Sequence, residues 1–172
     1  MGTVKVTNIE PIADNGTITF GSSGDTLALT SGAKTSGFGK VGQAVGATNS
    51  SEQTSTSTSF VASTLTVNIT PTTTTSKILV TVSTGSGNNT SGQHCYTTIY
   101  RGTTNLGGSN GMNTQYQGGT GEHYGSTHMS ILDSPASTSQ QTYTLYYRAS
   151  GGTAKVNSSG VTGSITAQEI LD

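Results

Sequence analysis

Between Thr64 and Ser83 the chain reads TLTVNITPTTTTSKILVTVS. Leu65, Val67 and Ile69 alternate with Thr66 and Asn68, and Ile78, Val80 and Val82 alternate with Leu79 and Thr81. A period of two sends successive side chains to opposite faces of a strand. Between the two runs Pro71 fixes its own φ and has no N–H to give a ladder, so the chain turns there. The stretch predicts strand, loop, strand. The same alternation recurs in HCYTTIYR (94–101), EHYGSTHMSIL (122–132), TYTLYYRA (142–149) and GSITAQEI (163–170). These runs are rich in the β-branched and aromatic residues that half-buried pleated surfaces favour. Tyr143, Leu145 and Tyr147 share one face, and the expected core holds Ile69, Ile78, Val80, Leu145 and Tyr147. No segment has helical periodicity with caps. Strands at this spacing, separated by Gly, Asn and Ser clusters, predict an all-β protein with an antiparallel β-sandwich or jelly roll over residues 41–172.

The first forty residues differ. NGTITFGSSGDTLALTSGAKTSGFGK (15–40) offers short strand pieces between glycine turns, too few to close a core of their own. Such a segment is ordered by partners, of which parallel copies of itself, wound as a shaft, are the simplest. A flexible linker is the alternative. Leu79 adds to the expectation of self-association. It lies opposite Ile78 and Val80, and a strand apolar on both faces is buried on both. In a small sandwich the second face would meet another subunit, although a lone exposed leucine is common.

Composition narrows the function classes. Only 9 % of residues are charged, against roughly 25 % in average domains, and the formal net charge is −1. No basic patch is available to neutralise phosphates, so nucleic-acid binding is not expected. No apolar run approaches the ~20 residues of a membrane-spanning helix. MGTVKVTNIE lacks the charged and apolar regions of a secretion signal. Ser and Thr supply a third of the chain. A surface-like composition without an export signal fits a protein made in a cytoplasm and assembled into a particle that later meets the outside.

Little here can do chemistry. Asp14, Asp25, Glu52, Glu122, Asp133, Glu169 and Asp172 are scattered, and neither a nucleophile elbow nor a phosphate loop occurs. The chain is not expected to be an enzyme or to carry a cofactor. His94 and Cys95 point to opposite faces of one strand, as do His123 and His128, so no metal site is expected within one chain. A single histidine near a threefold axis could still supply three equivalent ligands. Cys95, the lone cysteine, is expected to be a small buried apolar residue.

The stretch GKVGQAVGATNSSEQTSTSTSFVASTLTVNITPTTTTSKILVTVS (39–83) resembles the head domain of tail-fibre-like virion proteins of marine and cyanobacterial bacteriophages. The likeness rests on a G-K-V-x-Q start and on Ile69, Thr70, Pro71, Ser76, Lys77, Ile78, Leu79 and Val80 in an I-T-P-x-x-x-x-S-K-I-L-V strand pair. LDSPASTSQQTYTLYYRAS (132–150) is similar to that family's L-D-S-P hairpin, SITAQEI (164–170) to its closing strand, and the first residues to its shaft or attachment segment. The resemblance implies a homotrimeric head on an N-terminal shaft, residues 1–40, held to other virion proteins. It implies a place on the particle surface and a host glycan or protein as partner. It carries over no catalytic residue. A capsid decoration or cement protein, or a head fibre, suits the length equally well.

Neutral hydroxyl and amide side chains suit hydrogen bonding to glycans, and Tyr100, Tyr116, Tyr124, Tyr146 and Tyr147 offer flat stacking surfaces. If the strands from residue 65 alternate up and down, loops 70–76, 101–104 and 133–141 share one end with Pro71 and Pro135. Loops 84–93, 107–121 and 150–163, rich in Gly, Asn and Ser, share the other. A first head strand antiparallel to the last would bring the chain in at the proline end and leave the glycine-rich loops distal, where recognition loops belong. The candidate receptor-binding residues on that tip are Asn88, Asn89, Asn113, Gln115, Tyr116 and Asn157.

Overall fold

The computed structural model describes residues 41–171; the expected shaft over residues 1–40 lies outside them. The described residues are all-β apart from one 3₁₀ turn, Ser158–Gly160. The strands are β1 (Val41–Asn49), β2 (Gln53–Ser55), β3 (Val61–Ile69), β4 (Lys77–Asn88), β5 (Gln93–Arg101) and β6 (Thr104–Asn105). They continue as β7 (Asn113–Gln117), β8 (His123–Asp133), β9 (Gln141–Ala149), β10 (Ala154–Val156) and β11 (Gly163–Ile170).

All pairings between strands are antiparallel. β10 and β11 lie end to end along one edge of β4, while β8 runs the full length of the other edge. β1 and β2 lie end to end beyond β11 and β10. In the second sheet β6 and β7 form one interrupted strand beside β5, β9 covers its other edge, and β3 follows β9. With each interrupted strand counted once, the spatial orders are 1-8-3-6 and 2-7-4-5. Only the fourth-to-fifth connection stays within a sheet. Every other connection crosses between sheets, a pattern consistent with a jelly roll.

One hydrophobic core draws on both sheets. Leu65, Val67, Ile69, Leu145 and Ile99 come from one, and Ile78, Val80, Val82, Ile165 and Ala167 from the other. The five expected core residues are all buried, Ile78, Val80 and Leu145 completely. Cys95 is buried among them, and desolvation pushes its thiol up to about 11.

The two ends of the interior are closed by polar groups. At one end Arg101 Nη1 donates to both carboxylate oxygens of Asp133 at 2.8 and 2.7 Å, and the fully buried Tyr143 hydroxyl donates to Asp133 Oδ2 at 2.7 Å. Burial first, then the bond to Asp133, raises the Tyr143 phenol well above its usual range. Beside them the fully buried Glu169 accepts from Thr72 N (2.6 Å), Thr72 Oγ1 (2.8 Å) and Gln43 Nε2 (2.7 Å). Burial opposes its ionisation, but the bonds from Gln43, Thr72 and Ser76 outweigh burial and hold the carboxyl below its ordinary value.

Val41 pairs with Ile170, and Ile170 with Lys77, so the described chain starts at the end that carries the Pro71 and Pro135 loops. This agrees with the antiparallel arrangement expected from the sequence. The glycine-rich end departs from expectation. β4 continues through Thr84–Asn88, which the sequence suggested as loop, because Gly85 and Gly87 serve close packing. A Cβ on Gly87 would lie 1.9 Å from the His123 carbonyl oxygen, and one on Gly85 would lie 3.2 Å from Ser158 Oγ. Asn113–Gln117 is likewise strand, paired with Gln93–Thr97.

Three measurements check this packing. Val80→Ala should cost about 1–3 kcal/mol in denaturant unfolding, through lost burial and an added cavity. Cys95 should resist thiol reagents at pH 8 in the folded protein and react promptly in denaturant. Because the folded Glu169 carboxyl titrates below its unfolded value, its contribution is fully present above about pH 4.5 and is lost as pH falls through the folded value. Glu169→Gln should therefore lose about 1–3 kcal/mol at pH 7 and show a shallower acid-side decline than the wild type.

Candidate functional site

The period-two pattern that fills the core also dictates the outer faces. On β5 the outward residues are His94, Tyr96, Thr98 and Tyr100; on β9 they are Thr142, Thr144, Tyr146 and Arg148; on β7 they are Thr114 and Tyr116. Strand register then sets the neighbours. His94 stands opposite Tyr116, Tyr96 opposite Arg148, and Thr98 opposite Tyr146.

The result is a continuous band of rings across the open face of this sheet. Tyr116, 54 % exposed, lies 4.8 Å from the His94 ring, which stacks on Tyr96 at 5.4 Å. The Arg148 guanidinium sits 4.1 Å from the centre of Tyr96 and 5.2 Å from that of Phe60. Phe60 leans on Tyr100 at 6.2 Å, and Tyr100 stacks on Tyr146 at 3.9 Å. Flat, half-exposed rings offer apolar contact surface to a ligand, and their hydroxyls can bond polar groups at the rim.

Of the tyrosines considered for stacking, Tyr100, Tyr116 and Tyr146 belong to this band. Tyr147 points inward and is 3 % exposed, and its phenol is raised by desolvation. Tyr124 lies in the other sheet, where its hydroxyl donates to Glu122 and its ring faces the Lys155 ammonium at 5.4 Å. Burial and then Glu122 raise the Tyr124 phenol. Lys155 reaches Glu122 at 2.8 Å and Glu52 at 3.4 Å. The Lys155 ammonium is held charged above its usual range by Glu122, and Glu122 is held below its own by Lys155.

The six candidate tip residues do not form one site. Asn88 and Asn157 are buried, against the expectation of exposure. Asn88 Nδ2 donates to the carbonyls of His94 and Gly151, both at 3.0 Å. Asn157 adopts a left-handed backbone (φ 53°), accepts from Thr84 Oγ1 at 2.8 Å and donates to the Ser51 carbonyl at 3.2 Å. Both knit the interior rather than face solvent. Asn113 and Gln115 are half-buried on β7, where Gln115 Nε2 donates to the Ser126 carbonyl at 3.1 Å. Asn89 is in the exposed turn after β4, tied to Thr153. Of the six, Tyr116 alone joins the aromatic band.

Phe60, Tyr96 and Arg148 were not singled out from the sequence, and His94 was weighed there only as a metal ligand. Alternation in HCYTTIY and TYTLYYRA contained the signal, since the residues between the inward ones must share the outer face.

An open depression is lined by Gly85, Glu122, His123, Tyr124, Ser158 and Val161 among others. The buried Ser158 Oγ beside it has no hydrogen-bond partner. Among the described residues no group of three His, Cys, Asp or Glu side chains is close enough to hold a metal ion.

No protein-family model matches the chain, and no curated protein matches it significantly.

If the band is a solvent-facing platform rather than a packing device, Tyr116→Ala should shift the thermal midpoint by no more than about 2 °C, since exposed substitutions usually stay within ~0.5 kcal/mol. The same truncation at Tyr143 should unfold the protein at ambient temperature or lower its midpoint by more than about 10 °C, at a core-aromatic cost of roughly 3–5 kcal/mol.

Proposed function

We propose that this chain is a bacteriophage virion protein, a homotrimeric fibre or tail appendage whose jelly-roll β-sandwich head binds glycans of the host surface. The observation that carries the reading is the band of rings on the outer face of β5, β7 and β9. Seven ring or guanidinium groups, from Tyr116 to Tyr146, touch in sequence there. Around them the strands present Thr66, Asn68, Thr114, Thr142 and Thr144. Stacking surfaces bordered by neutral hydrogen-bonding groups suit sugars, which have apolar ring faces and polar edges. The resemblance of residues 39–83 and 132–170 to phage fibre heads supports the virion setting. Residues 1–40 would serve as shaft and attachment to other virion proteins, joined at the proline end.

A second reading, a capsid decoration or cement protein, draws on the opposite face. The outer side of β1, β11, β4 and β8 carries small neutral groups: Ala44, Gly46, Ser164, Thr166, Thr81 and Ser130. Leu79 pairs there with Leu132, which is 52 % exposed. Such a flat face suits packing against another subunit, whether a copy of this chain in the trimer or a shell protein.

Native mass spectrometry of the full chain should give three times 17.4 kDa, and Leu132→Arg should reduce it toward one chain. Fluorescently labelled protein should adsorb to some members of a panel of marine bacterial and cyanobacterial cells. Tyr100→Ala should weaken that adsorption roughly 2–12-fold, from 0.5–1.5 kcal/mol per aromatic contact, without changing the native mass. Equal adsorption by wild type and Tyr100→Ala removes the case for a binding face.

A further inference from the structure

We infer that the saccharide taken by the aromatic band is anionic and that Arg148 receives its carboxylate or phosphate group; this rests on the proposal that the band binds glycans. The outward residues of β3, β5, β7 and β9 include no carboxylate, and Arg148 is their one permanent charge. The other ion pairs among the described residues are Arg101 with Asp133 and Lys155 with Glu52 and Glu122; none involves Arg148.

What Arg148 does touch is neutral. Nη2 donates to Asn110 Oδ1 at 2.9 Å and, at 3.4 Å, to the Ser109 carbonyl, while Nη1 donates to the Thr58 carbonyl at 3.4 Å. A guanidinium has five N–H donors. Three neutral bonds leave two donors for a ligand, and no carboxylate among the described residues pairs with the charge. The rings of Tyr96 and Phe60 hold the plane in place, which lowers the ordering cost of a charge-assisted contact. A cation fixed between two rings on a half-exposed face, with no carboxylate among the described residues paired to it, is complementary to an acidic group on a sugar alongside. A purely structural arginine would tie the 57–60 and 109–110 segments together and would not tell charged from neutral sugars.

The test uses the full chain in calorimetric titrations with three probes. These are galacturonic acid oligomers, the carboxyl-reduced galactose oligomers of equal length, and mannose 6-phosphate. The uronate oligomers should bind at least about tenfold tighter than their reduced counterparts, as a charge-assisted contact warrants. Their affinity should fall as salt rises. Arg148→Gln should abolish the preference while leaving the weaker binding of reduced oligomers within about twofold, and Arg148→Lys should fall between, with thermal midpoints checked for all variants. Preference for mannose 6-phosphate would support the inference with phosphate as the group. Equal binding of charged and neutral oligomers, unchanged in Arg148→Gln, overturns the anionic specificity and leaves the glycan reading standing. If no probe binds while Tyr100→Ala still adsorbs poorly to cells, the anionic inference alone is rejected. If no probe binds and Tyr100→Ala adsorbs normally, the glycan reading falls with it.

Discussion

Everything in this fold depends on pairing the polar groups that the interior has to contain. Apolar side chains are scarce in the chain, and they fill only the middle of the space between the sheets. Unpaired polar groups there would cost several kcal/mol each. At the glycine-rich end the partners are neutral: Thr84 with Asn157, and Ser86 Oγ with Thr127 Oγ1 at 2.6 Å. At the proline end they are ionic, with Asp133 held by Arg101 and Tyr143 and Glu169 held by Gln43 and Thr72. Such networks fix the relation of strands distant in sequence, because each tolerates one geometry.

The same scarcity divides the outer faces. With aliphatic residues committed to the core, what remains outward is mostly Ser, Thr and Gly on one sheet and rings among threonines on the other. The smooth face suits contact with a subunit, and the ringed face suits a ligand with alternating apolar and polar features. Arg148 gives the second face its sign.

The strands through the core were legible because alternation over Leu65–Ile69, Ile78–Val82 and Tyr143–Tyr147 has one physical meaning. The end at which the described chain starts was legible too, since it follows from strand parity. The continuation of β4 through Gly85 and Gly87 was not. Glycine marks a turn and a close backbone approach equally well, and only the position of His123 and Ser158 decides between them. Asn88 and Asn157 misled for a related reason: amides in glycine-rich sequence look like surface loop, yet these two supply the bonds that close one end of the core. The aromatic band lay half in view. Its strand members are outward by alternation, but the contacts of Arg148 with Tyr96 and Phe60 depend on register and on a loop, which local sequence does not encode.

Pairing of Val41 with Ile170, continued to Asn49 with Gly163, also sets how the domain bears mechanical load. Ladder hydrogen bonds in an antiparallel pair run perpendicular to the strands. Tension applied at Val41 along the axis of β1, with the opposite sheet held, strains those bonds together in shear instead of opening them singly like a zip. Resistance to a pull is governed by the rate of crossing the unfolding barrier and not by equilibrium stability. A strand loaded in this way gives the domain a strong handle at the end where the described chain begins.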